Sequence, residues 1–192
     1  MSSAATIPGC WNSRDRRGAS PPGPQADAPT HEGELLTRAI VQRVRSAAVD
    51  VGDERVARID RGLVVLLGVA ADDRARDGER LATKIAGLRV FDDERGKMAL
   101  AVADIGGAIL VVPQFTLYGD ARHGRRPDFT AAATPDVGRR LYDAFCGVLR
   151  SKDLAVEQGR FGALMRVVLE ADGPVTLVLS TDGWAQSDLG RP

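Results

Sequence analysis

An α+β domain with a mixed, barrel-like β-sheet and two packing helices is the fold this sequence predicts, and three observations predict it. Short β-rich segments greatly outnumber helical ones. Residues 62–69 are a continuous apolar run, and 108–116, which opens with the apolar run 108–112, reads as a second strand, the pattern of strands buried on both faces. Only two stretches, 73–88 and the one that opens at Thr134, carry helical periodicity.

Each element has its own warrant. Ala39-Ile40-Val41-Gln42-Arg43-Val44 is β-rich, and Ala48-Val49-Asp50-Val51 alternates apolar with polar. Asp53-Glu54-Arg55 reads as a turn before a short strand at 56–59, and Asp60-Arg61-Gly62 as a second turn before the first apolar run. In the segment 73–88, Leu81, Ile85 and Leu88 share one helical face. Residues 91–98 are polar and turn-like. Residues 108–116 give the second buried strand, and 119–128 a loop rich in Gly and Arg. Thr134-Pro135-Asp136 opens a helix, with Thr as N-cap, Pro at the first position and Asp in the positive first turn. Val137, Leu141, Phe145 and Val148 mark its expected buried face. A strand follows at 154–157. Two more, 165–170 and 175–180, flank Ala171-Asp172-Gly173-Pro174, which reads as a hairpin turn.

The chain has 192 residues, enough for one domain with a real core. Residues 1–36 are Pro-rich without apolar periodicity, so they are expected to form a disordered extension. The domain proper is expected at 37–180, with a flexible tail at 181–192. Formal net charge is zero, which argues against a general nucleic-acid coat protein but leaves room for a local basic patch. The apolar runs are far too short to span a membrane. No charged start followed by an apolar stretch marks a signal peptide. Cys10 and Cys146 show no metal or disulfide spacing. A cytoplasmic setting is therefore expected, with no membrane partner.

Several chemistries are missing from the sequence. It has no phosphate loop, no dinucleotide-binding glycine motif, no HExxH and no GxSxG elbow. The two histidines, His31 and His123, fall in the Pro-rich extension and the Arg-rich loop. A Ser-His-Asp triad and a histidine metal cluster are thus not expected. An enzyme built this way must rely on backbone dipoles, bound water or groups of the substrate itself.

Three segments together are specific. The first is Arg38-Ala39-Ile40-Val41-Gln42-Arg43-Val44. The second is Pro113-Gln114-Phe115-Thr116-Leu117-Tyr118, continuing as Gly119-Asp120-Ala121-Arg122-His123-Gly124-Arg125-Arg126-Pro127. The third is Gly159-Arg160-Phe161-Gly162-Ala163-Leu164-Met165, followed by Asp172-Gly173-Pro174-Val175-Thr176. In order and spacing, across about residues 37–180, the chain resembles the D-aminoacyl-tRNA deacylases.

That resemblance implies a hydrolase that releases D-amino acids, and glycine, from tRNA as chiral proofreading in translation. It implies aminoacyl-tRNA as partner, a homodimer with active sites at the interface, no DNA partner, no cofactor and no metal. It places each site beside Gln114, Phe115 and Thr116 of one subunit. A Gly-cis-Pro turn matching Gly173 and Pro174 enters from the other and leaves no room for an L side chain, a selectivity by exclusion. In the family an arginine braces this turn, and the role is carried to Arg38. Thr116 has the residue type of a nucleophile, yet no histidine is evidently placed to activate it. Main-chain N–H groups near Gln114–Thr116 are expected to hold the oxyanion, with the 2′-hydroxyl of the terminal adenosine or a water assisting. Pro113, Phe161 and Met165 are expected around the substrate pocket with Phe115. Arg122, Arg125 and Arg126 are expected to contact RNA phosphates.

Two positions depart from the family pattern. Pro113 stands where the pattern has serine, removing a hydroxyl and a backbone donor. Ala171 stands where asparagine is usual. These departures keep two alternatives open: a deacylase of relaxed chirality acting on L-alanyl-tRNA, and a tRNA-binding protein without catalysis.

Overall fold

A computed structural model of the chain describes residues 37–122 and 124–181. The N-terminal extension with Cys10 and His31, the loop residue His123, and all but the first residue of the expected tail lie outside the described residues. In chain order the elements are β1 (Arg38–Val51), β2 (Glu54–Ile59), β3 (Gly62–Gly68), α1 (Ala75–Ala86), β4 (Phe91–Asp92), β5 (Met98–Leu100), β6 (Ala108–Pro113), α2 (Pro135–Arg150), β7 (Ala155–Gln158) and β8 (Arg166–Ser180). A 3-10 turn, Phe115–Tyr118, follows β6.

β1 organises the sheet. Along one edge it pairs antiparallel with β3 through residues 38–44 and with β2 through residues 47–51. Along its other edge it pairs antiparallel with β8 over nearly its whole length. β3, β6 and β7 run parallel, so the sheet is mixed. It curls until β2 approaches β6 and β7, and Arg160 binds Glu54 at 3.0 Å across that approach. The expected barrel-like sheet with two helices is thus the observed architecture.

Alternation along the strands sorts apolar side chains into two cores. Leu63, Val65, Leu67, Ile109 and Val111 face the helices and pack with Leu81, Ile85, Tyr142, Phe145 and Leu149. Val64, Leu110 and Val112 point the other way and form an inner core with Val44, Val49 and Ile59. This explains the continuous apolar runs: both faces of β3 and β6 are covered. Tyr142 carries a polar atom into the outer core and satisfies it on the Val111 carbonyl at 2.8 Å.

Several sequence expectations need correction. The pieces 39–44 and 48–51 are one strand of 14 residues, and the turn lies at Gly52-Asp53, with Glu54 and Arg55 already in β2. The second apolar strand stops at Pro113; Phe115-Thr116 belongs to the 3-10 turn. The helix expected over 73–88 is shorter, opened by Arg74, whose N–H donates to the Asp77 carboxylate at 2.9 Å. Residues 91–100 are a small two-stranded sheet, not a polar turn, because Phe91 is fully buried. In α2, Thr134 caps by position but its side chain makes no capping bond. The buried face of α2 is Gly138, Tyr142, Phe145, Cys146 and Leu149, about one residue round from the expected face, because the tyrosine and cysteine go inward.

The largest correction concerns residues 171–174, which form no hairpin. β8 runs through them and stays paired to β1 on both sides. The step from Gln42 to Val44 faces the step from Thr176 to Ala171, so β8 bulges there.

Candidate active site

Pro113 ends β6 opposite Leu67 of β3. The next amide, of Gln114, still donates to the Leu67 carbonyl at 2.8 Å. The chain then leaves the sheet, because the 3-10 turn begins at Phe115. Gln114 Nε2 donates to Thr116 Oγ1, which orients both side chains. The opening amides of a helical turn have no partner inside it. Phe115 and Thr116 occupy that opening position, suited to a developing oxyanion. Below the turn, the Arg38 guanidinium donates to the Leu117 carbonyl at 3.1 Å and lies 4.7 Å over the Tyr118 ring. Tyr118 itself is buried.

Gly173 and Pro174 sit at the β8 bulge, joined by a cis peptide bond. Arg43 is the buried group that binds this bulge within the chain, and Arg45 adds an exposed bond from its Nε to Asp172 Oδ1 at 3.3 Å. The Arg43 Nε donates to the Asp172 carbonyl at 3.0 Å, and its Nη1 to the Val90 carbonyl at 2.6 Å. Asp92 lies 3.4 Å from the same Nη1. Within one chain, Arg43 binds the bulge and Arg38 supports the 3-10 turn. Sequence reasoning missed Arg43. The available signal was its alternation: it shares a face of β1 with buried Ala39 and Val41, where a charged side chain needs polar partners.

Arg38 and Arg43 stand five positions apart on β1. At roughly 3.3 Å per residue this separates the turn from the bulge by about 16 Å along the strand. Within one chain, Gln114–Thr116 and Gly173-Pro174 are thus tied to different levels of β1.

The remaining expected residues divide. Pro113 and Met165 both lie against Gly159: a Cβ placed there would lie 3.0 Å from Met165 Sδ and 3.3 Å from Pro113 Cδ. Phe161 goes to the helices instead. Its ring stands 6.1 Å from that of Tyr142, with the Arg139 guanidinium 5.0 Å over it. Phe115 is half exposed at 48% and meets Phe129 edge to face at 5.2 Å. Arg122 is engaged by Asp120, with Nη2 2.6 Å from Oδ2. Arg125 and Arg126 are exposed and have no ion-pair partner among the described residues.

Titration points away from other sites. Asp50 is held below the usual carboxylate range by hydrogen bonds from Arg55 and Arg166. These three line a polar cavity of about 330 Å³ at the far end of β1 from the Gln114 turn. Burial pushes the Cys146 thiol up to about 11 and raises the Tyr142 phenol further. Among the described residues no cluster of His, Cys, Asp and Glu has the makings of a metal site, and no helix is long and apolar enough to cross a membrane.

A curled mixed sheet with helices on one side, and a strand-end turn whose opening amides have no partner among the described residues, defines a class of α+β domain. Comparison with known proteins narrows the class. The family model described as D-Tyr-tRNA(Tyr) deacylase matches residues 40–180, and the chain belongs to that family. It is 56% identical over 144 residues to a D-aminoacyl-tRNA deacylase of Thermotoga petrophila, covering 75% of this chain and 97% of the relative. A relative of the same name from Thermus aquaticus is 55% identical over 144 residues, with 75% and 95% covered. Among solved structures, one titled c-Myc DNA Unwinding Element Binding Protein superposes with a TM-score of 0.69 at 41% identity, covering 74% of this chain and 97% of that one. A second, titled as a probable eukaryotic D-amino acid tRNA deacylase, gives 0.67 at 21% identity over 76% of this chain and all of that one, and speaks for the fold alone.

Proposed function

We propose that this protein is a D-aminoacyl-tRNA deacylase that hydrolyses the ester between a D-amino acid and tRNA, and that glycyl-tRNA is also a substrate. The observation that carries the reading is the Gln114–Thr116 turn, fixed to β3 by one backbone bond, in a chain more than half identical to proteins of that name. The amides of Phe115 and Thr116 receive the negative charge that forms on the carbonyl oxygen. Water, or the neighbouring 2′-hydroxyl, supplies the attacking oxygen. Thr116, held by Gln114, positions these groups and does not attack.

The protein acts as a homodimer. The separation of about 16 Å between turn and bulge supports this, because a second copy can bring its own Gly173-Pro174 to the turn. Selectivity then comes from backbone that fills the space an L side chain needs. The expected domain is 37–180, and it works in the cytoplasm, where aminoacyl-tRNA is found. Arg125 and Arg126, with Arg122, contact the RNA.

Hydrolysis of D-Tyr-tRNA, L-Tyr-tRNA, Gly-tRNA and L-Ala-tRNA by the purified full chain tests the reading. Loss of the D and glycyl esters with L-Tyr-tRNA untouched is expected. Cleavage of L-Ala-tRNA as well would mean that Pro113 and Ala171 relax chirality. Tight tRNA binding with no hydrolysis of any ester would overturn the enzyme reading.

A further inference from the structure

Phe115 is the first residue of the 3-10 turn and leaves about half of its surface to solvent. A ring placed so openly has few contacts to fix its rotamer. Its aromatic neighbour among the described residues is Phe129, at 5.2 Å and 67°. Edge-to-face pairs of this kind have a preferred geometry, so one ring sets the other.

Phe129 also touches the opposite end of the same turn. Gly119 caps the 3-10 helix, and a Cβ there would lie 2.9 Å from Phe129 Cε1 and 3.1 Å from the Thr116 carbonyl oxygen. Only a residue without a side chain lets the ring lie on the turn's backbone. Phe129 therefore contacts the turn at its first side chain and at its cap.

The position of Phe129 is itself fixed. Asp120 and Asp128 exchange both backbone hydrogen bonds, each at 2.8 Å, which closes the loop between them. The Asp128 carboxylate then accepts from Thr130 N at 2.9 Å and Thr130 Oγ1 at 3.1 Å, directing the chain as it leaves the loop. The closed loop is the one that carries Arg122, Arg125 and Arg126.

We infer that Phe129 is a positioning residue: it sets the Phe115 ring and, through that ring, the amides of the Gln114–Thr116 turn, and it joins the arginine loop to that turn. The inference rests on the deacylase reading for its catalytic consequence. Its structural half, that Phe129 fixes the Phe115 ring, does not.

The test uses the full chain with Phe129→Leu, which keeps an apolar side chain and removes the ring, and Phe129→Tyr, which restores the ring. For D-Tyr-tRNA, Phe129→Leu should lower kcat about three- to tenfold, the fold-change matching one aromatic pair, with KM unchanged. Phe129→Tyr should restore kcat. Phe115→Leu combined with Phe129→Leu should be no worse than Phe115→Leu alone, because the second ring acts through the first. In parallel, aromatic ¹³C spectra without substrate should show the Phe115 ring resonances moved by Phe129→Leu and returned by Phe129→Tyr. Unmoved Phe115 resonances would overturn the inference whether or not the protein is a deacylase. Moved resonances with kcat unchanged, or additive losses in the double variant, would overturn the positioning role. A wild-type protein inactive on every aminoacyl-tRNA would instead overturn the deacylase reading, leaving the spectra to decide the structural half.

Discussion

The buried guanidinium of Arg43 donates to the main-chain carbonyl of Asp172 at 3.0 Å, and a Cβ on the neighbouring Gly173 would lie 3.0 Å from its Nη2. Through this relationship β1 holds the β8 bulge in place, and the same arginine reaches across to Val90 and Asp92. Arg43→Gln removes the fork and leaves buried carbonyls short of donors. It should cost about 2–3 kcal/mol of stability in urea unfolding. Arg43→Lys, which keeps the charge but not the fork, should keep most of the stability and lose discrimination between D- and L-Tyr-tRNA.

Gly173 has φ +119°, a conformation L side chains rarely adopt, and a Cβ there would meet the Arg43 head at 3.0 Å. Gly173→Ala should therefore destabilise by about 1–3 kcal/mol. It should raise the L/D cleavage ratio more than it lowers cleavage of the D ester, since the wall moves while the Gln114 turn stays. Equal loss on both hands of substrate would place Gly173 outside the selective wall.

Arg122 is already held by Asp120, whereas Arg125 and Arg126 are not paired among the described residues. Arg125→Ala and Arg126→Ala should each reduce the salt slope of tRNA binding by about one unit, and Arg122→Ala by less. A measurement of KM for D-Tyr-tRNA across 50–300 mM salt (on the order of a Debye length of 10 Å) separates them.

Asp50 accepts from Arg55 at 2.8 Å and from Arg166 at 2.7 Å, and these bonds hold its pKa below the ordinary carboxylate value. A carboxylate depressed in the folded state contributes stability above its unfolded value, and loses it as pH falls through the folded value. Wild type should thus lose stability relative to Asp50→Asn as pH falls below about 4, and the two should converge in strong acid. Denaturant midpoints from pH 7 down to pH 2 check this.

Cys146 is fully buried and its thiol is pushed up to about 11. In a Cys10→Ser background it should not react with a thiol reagent at pH 8 in the native state, and should react fully in denaturant. Fast native labelling would mean that the α2 face opens.

Much of the fold was legible because hydrophobic periodicity dominates it. The runs at 62–69 and 108–116 read as strands covered on both faces, and both feed the two cores. What failed was local and has physical causes. The α2 face was misplaced because Tyr142 and Cys146 act as core residues, the first by placing its hydroxyl on Val111. Residues 171–174 carry every sign of a turn, yet bulged strands use the same residues as hairpins, and pairing partners cannot be seen along one sequence. For the site, residue types at Gln114–Thr116 and Gly173-Pro174 stood out through resemblance. The work of Arg43 and Phe129 did not, because each depends on a neighbour far along the chain.

The bulge in β8 has a further consequence. Before it, Val167 and Leu169 serve the inner core; after it, Val175, Leu177 and Leu179 serve the helix-side core. All five numbers are odd, so an uninterrupted strand would send them to one face. The segment at 171–175 therefore acts as a comma in the strand, changing the side on which the following residues are read. Side-chain substitutions there leave the register unchanged, but loss of a single residue would turn the last third of β8 inside out. At this joint the length of the chain counts for as much as its chemistry.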